Sequence, residues 1–421
     1  MRDRKFSFLI LYISFALAIF YPFKGIVSLF LSLLIGENVA VFIIPSLFIF
    51  TFGFIFLNII VNHISLSRID KILLAAGFFA FAFAVLKQDR TLLYNTVLLF
   101  ILPVLFNRFR KIDDHHFYRL TFIFFMISSI YLLVENIVLQ PDRFGLGFTP
   151  PSTEELAAYS NYLVGGDTKF DASVNLSDYR NIGISNRTGG YLANILAMPV
   201  LIAMATTFFY VSTRERFKLI NAILTVFSIF LLISCLSTTA IIAFVLTVFF
   251  YEIYGRRNAV SVIISVLILG VLVFLISYSK MLSFTYNRLL FNMNDSIYFA
   301  TFFKQHLVLF RVANIKYFFL GKWGWLPPEG GSSHVDLINI IVAYGGIIAY
   351  FLYRRMLFPL TLLRQPGHLY GRIFSLTVLT AFICLFHSSM TLNINVMMLV
   401  TLLYLKSGDL CRRTEESTPV P

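Results

Sequence analysis

Residues 311–346 read RVANIKYFFLGKWGWLPPEGGSSHVDLINIIVAYGG: an arginine, a turn rich in glycine and proline, and a histidine set directly before an apolar run. Gly321, Gly324, Pro327, Pro328, Gly330 and Gly331 supply the backbone freedom and fixed φ angles of a tight connection, so a polar loop returns sharply here to a helix. Ser332 or Ser333 is placed to cap a helix starting at His334. Ser333-x-x-Asp336 also has the form of a capping box, which accounts for Asp336 slightly better than chemistry does. No such local role accounts for His334.

The chain around this stretch is overwhelmingly apolar. Of its 421 residues 58% are hydrophobic, 48 are Phe, and mean hydropathy is +0.81. A soluble domain is nearer one half apolar, so the composition predicts an all-α polytopic membrane protein, with residues 1–421 forming a single integral membrane domain. Cys235, Cys384 and Cys411 are an odd count without metal-like spacing, which argues against a disulfide framework or a zinc site. The N-terminal MRDRKFSFLILYISFALAIF has a basic start, an apolar run and a cleavage-like Ala16-Leu17-Ala18. Because the apolar run continues and many others come after it, it reads as an uncleaved first helix rather than a signal peptide.

A membrane-crossing helix needs about 20 apolar residues, with about 17 still workable. On that ruler the spans are 6–22, 39–61, 72–86, 92–106, 118–139, 188–211, 219–235, 237–254, 260–279, 334–353, 373–387 and 391–405, about twelve in all. Short loops on one side carry Arg68, Lys71, Arg108, Arg110, Lys111, Arg119, Arg214, Arg216, Lys218, Arg256, Arg257, Arg354, Arg355, Arg364 and Arg372. The short loops opposite carry only Lys24, Lys87 and Arg90. By the positive-inside rule both termini are cytoplasmic.

Two long connections, 140–187 and 280–333, then face outward; loops of this length inside a bundle are usually functional or disordered, and neither has a disordered composition. The second is basic, with Lys280, Arg288, Lys304, Arg311, Lys316 and Lys322 against Asp295 and Glu329. Two readings of these cations stand: attraction to anionic headgroups, or binding of a phosphate-bearing substrate. Residues 296–319 read as one or two amphipathic helices at the membrane surface, and in an unbroken helix Lys304 and Arg311 share a face. Arginine suits pyrophosphate because its planar fork makes bidentate, charge-assisted contacts.

The first loop ends with Arg180 and then Asn186-Arg187-Thr188-Gly189-Gly190 at the rim of a span. The glycines serve close substrate approach or helix packing. Ser234, Ser237, Thr238 and Thr239 lie at an outward turn, where hydroxyls satisfy helix ends. Glu135 sits about one turn inside the outward end of its span, and an acid in a span is functional by default, as a proton acceptor or as the partner of a loop arginine.

Arg311 followed by FFLGKWGW, then Ser333-His334 and Tyr344-Gly345-Gly346, resembles the signature of the O-antigen polymerase and ligase superfamily. Arg187-Thr188-Gly189-Gly190 and the Ser237 turn fall where that family carries its other polar marks, so the likeness covers roughly residues 180–353. The resemblance implies a GT-C-type, inverting glycosyltransferase of the bacterial inner membrane. Its substrate would be an undecaprenyl-pyrophosphate-linked oligosaccharide at the periplasmic face, with no nucleotide sugar and no cofactor. Thr238 stands where the family often has arginine, and Val335 where ligases usually carry a small polar residue. The second departure favours the polymerase.

Such a transfer must stabilise a departing pyrophosphate and deprotonate an attacking sugar hydroxyl. With no Asp-x-Asp metal pair in either long loop, stabilisation falls to side-chain cations, Arg187 and Arg311 foremost, then Arg288, Arg180 and Lys304. His334 orients or deprotonates, with Glu135 and Asp336 as alternative bases. Membrane lipid and, by family implication, a chain-length regulator protein are the other expected partners; nucleic acid is not. The alternatives are a ligase transferring glycan to lipid A-core, and a lipid-linked-sugar flippase or transporter. Transporters often carry internal repeats, and none is visible here.

Overall fold

A computed structural model describes residues 68–89, 92, 96, 113–139, 197–216, 218–234, 237–256, 263, 267, 270, 312–324, 336–357, 369–384, 399–400, 402–404, 406–407 and 410. Among the described residues every regular element is helical and none is a strand. In chain order they are α1 (Arg68–Leu86), α2 (Asp114–Leu139), α3 (Ala197–Glu215), α4 (Leu219–Ser234) and α5 (Thr238–Phe250), which runs on as a π-helical turn at Tyr251–Arg256. Then come α6 (Val312–Leu320), α7 (Asp336–Tyr344), α8 (Gly346–Leu357) and α9 (Leu369–Cys384). Among these residues one stretch, Asp114–Leu133, is long and apolar enough to cross a membrane by length and composition. Shorter apolar helices lie at Lys71–Leu86, Leu219–Ile233, Thr239–Ile253 and Leu369–Cys384.

α3 is the hub. It is apolar on all sides, buried without interruption from Pro199 to Ser212, and touches α2, α4, α5 and α9. Aromatic rings join its neighbours across it: Tyr118 of α2 stacks on Phe208 at 5.2 Å, Phe122 meets Phe209 edge-on at 5.5 Å, and Phe117 meets Phe374 of α9 edge-on at 4.9 Å.

The interior also holds hydroxyls. Thr121, Ser128, Thr206, Thr225, Thr247, Thr377 and Thr380 each donate to the carbonyl four residues earlier, which satisfies the hydroxyl within its own helix. Several also bridge helices: Thr380 lies 2.8 Å from Thr207 and 3.0 Å from Thr247, and Ser375 lies 2.6 Å from Ser407. Large apolar side chains face outward at helical spacing, among them Leu219, Ile223, Val226 and Phe230 on α4 and Ile242, Leu246 and Phe249 on α5.

Helix boundaries depart from the apolar runs in one consistent way. α1, α2 and α9 start four residues before the runs at 72, 118 and 373, and in α2 and α9 the polar side chains of the added first turn have partners. His115 Nδ1 lies 2.8 Å from Tyr370 Oη, and the Arg216 guanidinium sits over the Tyr370 ring at 6.0 Å. Glu252, fully buried, accepts from Tyr210 at 2.8 Å and from Arg214 Nε and Nη2 at 2.9 and 3.0 Å. Glu215 accepts from Tyr251 at 2.8 Å and from Arg372 at 3.0 Å. Buried Lys406 pairs with Asp114 at 2.6 Å. These contacts gather the starts of α2 and α9 and the ends of α3 and the π-turn at one end of the bundle.

The larger departure is at 334–353, where one continuous helix was expected. The chain instead forms α7 and α8, separated by Gly345 at φ +84°. The cause is a tertiary contact with the turn that leaves α6.

Candidate functional site

α6 leads into the glycine-rich stretch. Its last turn closes with the Gly321 N–H donating to the Tyr317 carbonyl at 3.0 Å, and Gly321 takes φ +72°. Gly321 then lies against the α7–α8 break. A Cβ on Gly321 would stand 2.7 Å from the Tyr344 carbonyl carbon, and one on Gly345 would stand 2.7 Å from the Phe319 oxygen. Both contacts are with backbone, so only glycine fits at either position.

In an unbroken helix the carbonyls of Val342 and Ala343 would accept from the residues four positions on. At this break they accept from Lys322 N at 2.7 Å and Trp323 N at 2.9 Å. The incoming turn therefore caps α7 from outside, satisfying carbonyls that a helix end leaves without intrahelical donors. Trp323 adopts φ +50°, a conformation few non-glycine residues hold. Its ring is fixed edge-on to Phe79 at 4.8 Å, with Phe83 and Tyr344 each at 6.3 Å.

α1 completes the junction. Lys87, just beyond its end, donates Nζ to the Lys322 carbonyl at 3.1 Å and to the Trp323 carbonyl at 3.0 Å. Asp89 turns the chain away by accepting from Leu92 N at 2.9 Å, and Thr96 lies 3.4 Å from the buried Tyr344 hydroxyl. On the outer face, Lys316 and Lys322 stand over the Tyr317 ring at 5.1 and 5.7 Å, beside exposed Phe319 and Leu320. A doubly cationic patch flanked by apolar side chains suits an anionic amphiphile.

Of the residues expected to act, Asp336 is the first described residue of α7, and Glu135 lies in the last turns of α2. His334, Arg187, Arg311, Arg288, Arg180 and Lys304 lie outside the described residues, as do Ser332, Ser333, Gly189 and Gly190. Ser237 is the N-cap residue of α5, yet its side chain makes no capping bond there. Among the described residues no group of three or more His, Cys, Asp or Glu side chains is arranged to hold a metal ion.

Trp323 and Gly345 lie in the stretches that carry the family resemblance, whereas Lys87 did not stand out from sequence as a member of a site. Its signal was a place on the side of the chain whose short loops carry only Lys24, Lys87 and Arg90. Compared with protein-family models, curated proteins and solved structures, the chain matches none.

Proposed function

We propose that this chain is a polytopic inner-membrane glycosyltransferase of about twelve transmembrane helices, GT-C-type in architecture. It joins undecaprenyl-pyrophosphate-linked oligosaccharide repeat units into lipopolysaccharide O-antigen at the periplasmic face. Support for the membrane setting comes from the inverted polarity of the bundle. Hydroxyls and paired charges lie inside, where they bond to one another, while Leu, Ile, Val and Phe face outward along whole helices. Support for the sidedness comes from the gathering of Arg214, Arg216 and Arg372 at one end, with Lys87 in the loop sequence that carries few cations.

The observation that carries the functional reading is the 311–346 stretch. Its tryptophan, glycines and basic residues resemble those of the polymerase and ligase superfamily, and its centre is a rigid, glycine-built junction rather than a slack loop. From that junction the chain runs 325–335, the polar connection bearing His334, to Asp336. On this reading Arg187 and Arg311 bind the donor pyrophosphate, assisted by Arg288, Arg180 and Lys304. His334, Glu135 or Asp336 takes the proton from the attacking hydroxyl. One in-line displacement then forms the glycosidic bond to the acceptor, inverts the anomeric carbon and releases the lipid pyrophosphate.

The test is elongation of purified lipid-linked repeat units by the purified full-length protein. Ladders of two and more repeats are expected, and they disappear in Arg187→Ala, Arg311→Ala and His334→Ala while protein level holds. Normal ladders in all three variants would overturn the assignment, and transport of donor without any elongation would place the chain among flippases. In cells, a deletion that leaves core plus one repeat unit marks a polymerase, and bare core marks a ligase.

A further inference from the structure

We infer that the turn between α3 and α4, together with the outward face of α4, binds an anionic phospholipid, its phosphate on Arg216 and Lys218 and an acyl chain along the helix. The inference rests on the membrane setting of the proposed function and not on its chemistry.

The charges at this end of the bundle fall into two groups. Glu252 accepts from Arg214 and Tyr210, Glu215 from Arg372 and Tyr251, and Asp114 pairs with Lys406. Asp113, just before α2, accepts from the His116 N–H at 3.2 Å. Arg216 and Lys218 stand apart from these pairs. Both are exposed, in the turn that joins α3 to α4, and among the described residues neither forms an ion pair. Arg216 is nonetheless held in place. Its guanidinium sits over the Tyr370 ring at 6.0 Å, that ring packs against Tyr118 at 5.3 Å, and the Tyr370 hydroxyl lies 2.8 Å from His115 Nδ1. A guanidinium resting on an aromatic face keeps its N–H groups for an acceptor, and its planar fork matches a phosphate.

The surface that begins at this turn decides between a lipid and a soluble anion. The Lys218 carbonyl accepts from the Ala222 N–H at 3.1 Å, so the lysine stands at the start of α4. Leu219, Ile223, Val226 and Phe230 then follow at helical spacing on one face, and all are exposed, Leu219 and Val226 at 69% each. At about 1.5 Å per residue the strip from Leu219 to Phe230 rises about 16 Å, close to the hydrocarbon depth of one leaflet, about half of roughly 30 Å. A cationic turn at the head of a leaflet-long apolar strip complements an anionic phospholipid. A free phosphate would meet the charge and leave the strip bare.

The test titrates the purified full-length protein in detergent with phosphatidylglycerol or phosphatidylcholine and reads bound lipid by native mass spectrometry. Each cation near a headgroup contributes about fivefold in affinity, so the wild type is expected to hold phosphatidylglycerol about twentyfold more tightly than phosphatidylcholine. Arg216→Gln and Lys218→Gln each weaken phosphatidylglycerol binding by about fivefold, and the double variant loses the preference. Lys218→Gln removes an exposed side chain, so it reads the site even if Arg216→Gln loosens the packing at Tyr370. Lys71→Gln with Arg354→Gln removes the same charge from exposed positions elsewhere and is expected to leave the preference intact. Leu219→Asn with Val226→Asn weakens phosphatidylglycerol binding, and inorganic phosphate does not displace the lipid. An equal loss in the Lys71 and Arg354 pair overturns the site in favour of overall charge. Displacement by inorganic phosphate, or unchanged binding after the Leu219 and Val226 changes, overturns the lipid as its occupant. Equal retention of both lipids by the wild type overturns the site and leaves the membrane setting standing. Retention of neither lipid overturns the membrane setting, and the site falls with it.

Discussion

Replacing Arg214 by Leu removes one half of the best-formed ion pair in the bundle, and the cost follows from its burial. Glu252 is fully buried, whereas the Arg214 side chain is 24% exposed. The substitution leaves the carboxylate without the guanidinium bonds at 2.9 and 3.0 Å, although Tyr210 still donates at 2.8 Å. Breaking a buried pair from one side costs about 3–5 kcal/mol, and the partial exposure of the arginine lowers that to about 2–3 kcal/mol here. Removing both ends by Arg214→Leu with Glu252→Leu leaves neither charge of the pair behind, so the double variant is expected within about 1 kcal/mol of wild type. The assay is reversible unfolding in mixed micelles, read as a double-mutant cycle. The pH dependence has a definite sign. The hydrogen bond to Glu252 raises the Arg214 pKa above its ordinary value, against desolvation, which lowers it. A raised cationic group contributes its stability fully below the ordinary value and loses it only as pH climbs through the folded one. The arginine side therefore contributes no pH dependence across the neutral range. A single-variant cost below about 0.5 kcal/mol, as for an exposed pair, would refute the role assigned to burial.

Other perturbations separate backbone from side-chain effects. Gly345→Ala must hold φ +84° and bring a Cβ to 2.7 Å from the Phe319 oxygen, so a loss of about 2 kcal/mol or more is expected in the same unfolding assay. Gly324→Ala meets nothing nearer than Lys87 Nζ at 3.6 Å and is expected within about 0.5 kcal/mol of wild type. Thr380→Val breaks the chain from Thr207 to Thr247 and should cost about 1 kcal/mol in that assay. Cys384 is fully buried and should resist maleimide labelling until the bundle is unfolded, as mass spectrometry of the labelled protein will show.

The helices of the bundle were legible because hydrocarbon runs of the right length admit few other structures. The run at 219–235 became Leu219–Ser234 almost unchanged. What escaped was whatever depends on a distant partner. Asp114 and His115 read as loop because they are polar, yet they open α2 because Lys406 and Tyr370 wait for them far along the chain. The run at 334–353 looked continuous because apolar residues continue on both sides of Gly345-Gly346. The break exists because Gly321 and Lys322 arrive from outside and take the room and the carbonyls that a helix would have kept. Of the expected site, the glycine-rich turn was legible from composition, while its anchor on Lys87, 235 residues from Lys322, had no local trace.

The two ends of the bundle handle charge differently, and this bears on where an anion would go. At one end Arg214 with Glu252, Arg372 with Glu215 and Lys406 with Asp114 cancel in pairs, so none of the net +13 resides in them. At the junction the balance is unequal. Lys87 is occupied by two neutral carbonyls, and Lys316 stands over the face of Tyr317. The Asp89 carboxylate also lies at this junction beside Lys87, so the attraction for an anion falls to exposed Lys316 and to the summed field of the patch. A glycan carried on a lipid pyrophosphate offers that anion together with a hydrocarbon tail. Exposed Phe319 and Leu320 lie beside Lys316 to meet the tail. On the proposed reading, donor binding is therefore expected to weaken with salt in a titration of the purified protein, whereas the paired end of the bundle keeps its stability.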